Sequence, residues 1–188
     1  MSNALVTHMT FNYIGLGQLV TVSGHWDGQA YASSLNFTSS AIYGNIYTYC
    51  VDLDNYIHAG DNWDANVLDS QSLSGGLKEA GNILGNAFFQ ADNADKAAGL
   101  QLAMWEAIYD GGATLDLSVG NFKSTGETAA ADAWAQTYYA YRTVDAHAVY
   151  FQPVAGSGGQ GQMTAVPEPA TMIGLGTMAV ALLKRKRR

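Results

Sequence analysis

Asp27-Gly28 stands between two runs, 19–26 and 29–37, rich in β-branched, aromatic and small residues. A two-residue Asp-Gly connection suits a primed turn, whose twist matches that of paired strands, so the dipeptide is a strong hairpin signal. Residues 5–51 read as β structure throughout, with a further strand over 41–52 that carries Ile42, Ile46 and Thr48 and delivers Cys50 at its end. The pattern then changes. Residues 53–73 are rich in Asp and Asn and read as loop. Helical spacing follows over 77–90 and over 95–109, the second stopping at Gly111-Gly112, with a third helix over 127–143. A closing strand is expected over 146–153, and the Gly-rich stretch 154–165 reads as a flexible linker. The expected fold is α+β: an N-terminal antiparallel β scaffold, sandwich- or barrel-like, with a helical insert and a returning strand, then a linker and a short apolar C-terminal helix. The corresponding units are a globular domain over 1–153, the linker over 154–165 and a terminal segment over 166–188. No repeat at solenoid periods is visible.

A chain of 188 residues with 48% hydrophobic residues can bury a sizeable core in one domain. Only 13% of residues are charged, about half the usual share, so Ser, Thr, Asn, Gln, Gly and Tyr must supply the polar surface, as is common in exported proteins. The net charge of −7 is unevenly placed, because five of the nine basic residues are Lys184, Arg185, Lys186, Arg187 and Arg188. Residues 1–165 carry four basic and fifteen acidic groups. Such a body repels phosphate backbones, so nucleic acid is not an expected partner. A single cysteine excludes an intrachain disulfide and any zinc site built from several thiolates.

The last residues run in a fixed order: Val166, Pro167, Glu168 and Pro169, an apolar stretch over 170–183, then the basic cluster. The apolar stretch has 14 residues where a full span takes about 20. A basic end stays on the cytoplasmic side. This arrangement resembles a PEP-CTERM sorting signal. The resemblance implies recognition by an exosortase, transient residence in the inner membrane, removal of the tail, and delivery to the cell surface or extracellular matrix of a Gram-negative bacterium. Export also implies a secretory signal peptide. The start lacks a basic n-region, and Asn3, Thr7, His8, Asn12 and Gln18 interrupt any apolar h-region, so a truncated or mis-assigned start is expected.

Two further segments stand out. Tyr49-Cys50-Val51-Asp52 holds the lone cysteine in an aromatic, cysteine, hydrophobic, hydrophilic order. Leu100-Gln101-Leu102-Ala103-Met104-Trp105 places a carboxamide inside an apolar helical run, and Gln101 and Trp105 share a face at i, i+4. Together they resemble the two halves of the motif in thioester domains of bacterial surface adhesins, which also combine a β scaffold with a helical insert. The resemblance covers mainly residues 41–110. It implies that the Cys50 sulfur attacks the Gln101 side-chain carbonyl and expels ammonia, a reaction that contact inside a fold can favour by roughly 7–11 kcal/mol of barrier. The acyl group then sits on a good leaving thiolate, shielded from water by Tyr49, Met104 and Trp105. A lysine amine of a surface protein or a hydroxyl of a polysaccharide would displace Cys50 and remain bound covalently. The domain reacts once, so it is an adhesin rather than an enzyme, and no cofactor or metal is called for. The adhesins it resembles are anchored by sortase to Gram-positive walls, whereas this tail is of the exosortase type.

Other constellations compete. His8, His25, His58 and His147 lack metal-ligand spacing; His58, eight positions after Cys50, is a candidate base for a cysteine hydrolase, but no protease signature surrounds Cys50. The stretch from Asp52 to Asp69 is rich in oxygen ligands for calcium without EF-hand order or its central glycine. Four tryptophans and eleven tyrosines admit sugar stacking. The alternative function is therefore a non-covalent, exopolysaccharide-associated structural or carbohydrate-binding module.

Overall fold

A computed structural model describes residues 5–40 and 44–166. Its strands are β1 (Leu5–Gly24), β2 (Gly28–Ser39), β3 (Asn45–Cys50), β4 (Asn62–Asp69), β5 (Phe122–Thr125), β6 (Ala148–Pro153) and β7 (Gln162–Ala165). The helices are α1 (Gly75–Ala87), α2 (Ala94–Tyr109) and α3 (Ala129–Tyr139), with short 3-10 turns after α1 and α3. The α+β expectation holds: an antiparallel sheet with the helices inserted between β4 and β6.

The sheet runs β2-β3-β7-β6-β4-β1-β5, and β2 also pairs with β1. That extra pairing closes six strands into a ring, which removes the exposed edges of an open sheet. The length of β1 makes closure possible. Its first residues, Leu5 to Thr10, pair with β4, while Met9 to Val22 pair with β2 through two register shifts. Its far end carries β5 as an added strand, from Thr21 opposite Thr125 to Gly24 opposite Phe122. Phe11, Phe37 and Trp63, from three neighbouring strands, meet in the core with ring centroids 5.3 and 5.5 Å apart.

The helix α2 packs on β1 and β2 and is covered by α1 and α3, so its residues 97–107 are buried on every side. The Asn93 side chain caps its start, accepting from the Lys96 N–H at 3.0 Å. Gly99 lets α3 approach: a Cβ there would lie 2.7 Å from the Ala131 oxygen and from the Trp134 Cβ. At the other end Gly111 takes φ +67° and its N–H bonds back to the Glu106 oxygen at 2.8 Å, a left-handed stop that favours glycine.

Three strands differ from the sequence expectation. β4 lies within the expected loop and β5 between expected helices. β7 falls within the expected linker, yet it pairs between β3 and β6 and all four of its residues are buried. The linker reading therefore fails for residues 162–165, and the globular body runs to Ala165. The expected C-terminal helix lies outside the described residues.

Candidate functional site

One face of α2 reads three successive points of the chain that leaves β3. Gln101, Trp105 and Tyr109 recur at i, i+4 and i+8, which stacks them along that face. The Gln101 carboxamide meets the backbone of Cys50 twice: its Oε1 accepts from the Cys50 N–H at 2.9 Å, and its Nε2 donates to the Cys50 carbonyl at 2.7 Å. Gln101 is fully buried and Cys50 is 4% exposed. One turn on, the Trp105 indole N–H has no hydrogen-bond partner among the described residues, and Trp105 lines the cavity together with Cys50. One turn further, the Tyr109 hydroxyl accepts from the Leu53 N–H at 2.8 Å. The His25 ring stacks on Tyr109 at 4.4 Å and its Nε2 lies 2.9 Å from Asp54.

The chain folds tightly around the sulfur. Cys50 Sγ donates to the Asp52 carbonyl at 3.0 Å, and the Asp52 N–H points back at the sulfur at 3.3 Å. Burial pushes the thiol pKa up to about 12, against smaller downward pulls from the Asp52 backbone and Trp105. The resting group at neutral pH is thus a protonated thiol. Beside it, the carboxamide carbonyl already holds the Cys50 N–H, a donor placed where charge develops if a nucleophile adds to that carbon. The amide nitrogen is turned toward the Cys50 carbonyl. A condensation of these two groups would form a sulfur–carbon bond, break the carbon–nitrogen bond and release the thiol proton with ammonia.

A cavity of about 150 Å³ opens beside Cys50 and Trp105, and Trp26, Tyr31 and Tyr56 line it. Among the described residues, none that lines it is charged. The loop behind it is held by Gln160, whose Nε2 donates to the carbonyls of Asp52, at 3.0 Å, and Asn55. Gln162 in turn accepts from the Thr48 hydroxyl at 2.8 Å and donates to Gln160 at 2.7 Å.

Cys50, Gln101 and Trp105 are therefore together. Tyr49 is not with them. Alternation along β3 turns it to the other side, where it meets Phe88 edge-on at 6.2 Å and lines a separate cleft. Met104 is fully buried in the core and does not line the cavity at Cys50. Tyr109 and Gln160 belong to the site, and neither is among the site residues expected from the sequence. The i+8 spacing from Gln101 is a signal for Tyr109; Gln160, inside a Gly-rich stretch, has none. His58 lies 3.6 Å from Asp61, and its side chain is 86% exposed. His8 and His147 likewise pair with Asp64 and Asp69 on the surface. Among the described residues, no group of three or more His, Cys, Asp or Glu is arranged to hold a metal ion.

Comparison with known proteins locates one family feature. Residues 165–188 match the PEP-CTERM protein-sorting motif. The chain thus carries a signal for exosortase, which marks an exported protein sorted at the membrane toward the cell surface. Val166, the first residue of the expected sorting element, is 40% exposed, while Pro167, Glu168 and Pro169 lie outside the described residues. No helix among the described residues is long and apolar enough to cross a membrane. No curated protein and no solved structure matches the chain.

Proposed function

We propose that this exported chain is a covalent adhesive protein, anchored at the surface or in the matrix of a Gram-negative cell. Cys50 and Gln101 condense into an internal thioester. An amine or hydroxyl on a partner then displaces the thiol and stays bonded to the Gln101 acyl group. The reaction happens once per molecule, so the chain is not a turnover catalyst. The observation that carries this reading is the double hydrogen bond between the Gln101 carboxamide and the Cys50 backbone inside a buried site. It keeps the carboxamide against the backbone of the one cysteine in the sequence, and an intramolecular reaction depends on such proximity.

Methylamine tests it. Added to the full chain, it is expected to couple to Gln101 and to release one titratable thiol at Cys50, both located by peptide mapping. A Cys50→Ala chain should take up none. A wild-type thiol that titrates fully before methylamine is added, with Gln101 unlabelled afterwards, contradicts the proposal.

A further inference from the structure

We infer that the cavity beside Cys50 receives a neutral sugar ring, and that the acceptor of the acyl group is a pyranose hydroxyl rather than a lysine amine. This rests on the thioester reading above and narrows it to a substrate class.

Four features of the cavity argue for it. Its volume of about 150 Å³ lies below the roughly 300–1,000 Å³ of pockets for drug-sized ligands, so it suits a single ring or side chain. Three aromatic residues, Trp26, Tyr31 and Tyr56, offer apolar faces to the C–H side of a ring, and Trp26 and Tyr56 are set edge-on at 5.2 Å. Gln29, Tyr31 and Tyr56 are exposed at its mouth, and their side chains make no hydrogen bond among the described residues, so they are free to serve hydroxyl groups. Finally, among the described residues the lining carries no carboxylate. An alkylammonium entering it would lose hydration without gaining a counter-charge, whereas a hydroxyl enters neutral. The acidic body draws cations over its whole surface, and aromatic faces also attract them, so a lysine analogue is the fair competitor.

The transfer balances simply. The sugar oxygen bonds to the Gln101 acyl carbon, the carbon–sulfur bond breaks, and the hydroxyl proton passes to Cys50. The products are an ester on Gln101 and a free thiol.

The test uses the full chain with three reagents: methylamine, methyl β-glucopyranoside and Nα-acetyl-lysine methylamide, each followed by mass. The pyranoside is expected to form an adduct at Gln101 faster than the lysine analogue. Gln29→Ala and Tyr56→Ala, both at exposed positions, should each lower the pyranoside-to-methylamine labelling ratio about tenfold, the effect of about 1.4 kcal/mol. Labelling by methylamine with none by the pyranoside overturns the inference and leaves the thioester standing. So does faster labelling by the lysine analogue, or pyranoside labelling that ignores both substitutions. A chain of full sequence mass that no reagent labels overturns the thioester itself.

Discussion

Gln101 does structural and chemical work with the same two atoms. Its carboxamide satisfies both backbone groups of Cys50 in a place that water does not reach. In a Cys50→Ala chain, where the carboxamide stays intact, a further Gln101→Ala leaves a buried N–H and a buried C=O without that partner, at about 1–3 kcal/mol each, so denaturant unfolding should show a loss of about 2 kcal/mol or more. Glu106, five positions on, offers an independent check by pH. One of its oxygens accepts from the Asp116 N–H at 3.1 Å and the other has no partner among the described residues. Burial raises its pKa from 4.5 to about 7, partly opposed by that hydrogen bond and helped by the Asp110 and Asp116 carboxylates. The folded state thus holds a proton that the unfolded state releases earlier. Its contribution to stability is complete below about 4.5 and is lost as pH rises through about 7. Melting curves across that window should fall more steeply for the wild type than for Glu106→Gln. Equal slopes contradict the assignment.

At the scale of elements, legibility followed locality. The Asp27-Gly28 hairpin was readable because the turn dipeptide and its flanks act within a few residues, and β1 and β2 flank that turn. The helices were readable to within a few residues at their ends, since α1 and α2 carry apolar residues at helical spacing. β4 was not. Asn62 and Asp64 face water while Trp63 and Ala65 are buried, a true alternation hidden in a stretch dominated by Asp and Asn. β7 had even less local signal: Gln162 and Thr164 are buried polar residues, and what makes them a strand is the pair of neighbours β3 and β6. At the site, the contact of Cys50 with Gln101 followed from matching both segments, whereas Gln160 reaches Asp52 from 108 positions away. This has a direct consequence. A chain ending at Val166 should melt cooperatively, near the temperature of the full chain. One ending at Pro153 lacks a strand from the closed ring and should lose cooperative melting by circular dichroism. Cooperative melting of the shorter chain would restore the linker reading.

Across the whole molecule, the parts serve one geometry. The closed ring positions the end of β3, the buried helix α2 carries Gln101 to it, and β7 with its preceding residues ties down the loop behind the sulfur. The sorting signal at residues 165–188 follows that last strand directly, so the body and its route out of the cell meet within a few residues. In the proposed reaction, a fold that excludes water on this scale protects a stored acyl group until a partner enters the cavity. The intact mass of the purified full chain tests this account most directly. The wild-type mass is expected one ammonia below that of the sequence, with Cys50→Ala and Gln101→Ala each at full sequence mass. A wild-type chain at full sequence mass, folded and with its thiol free, would contradict it.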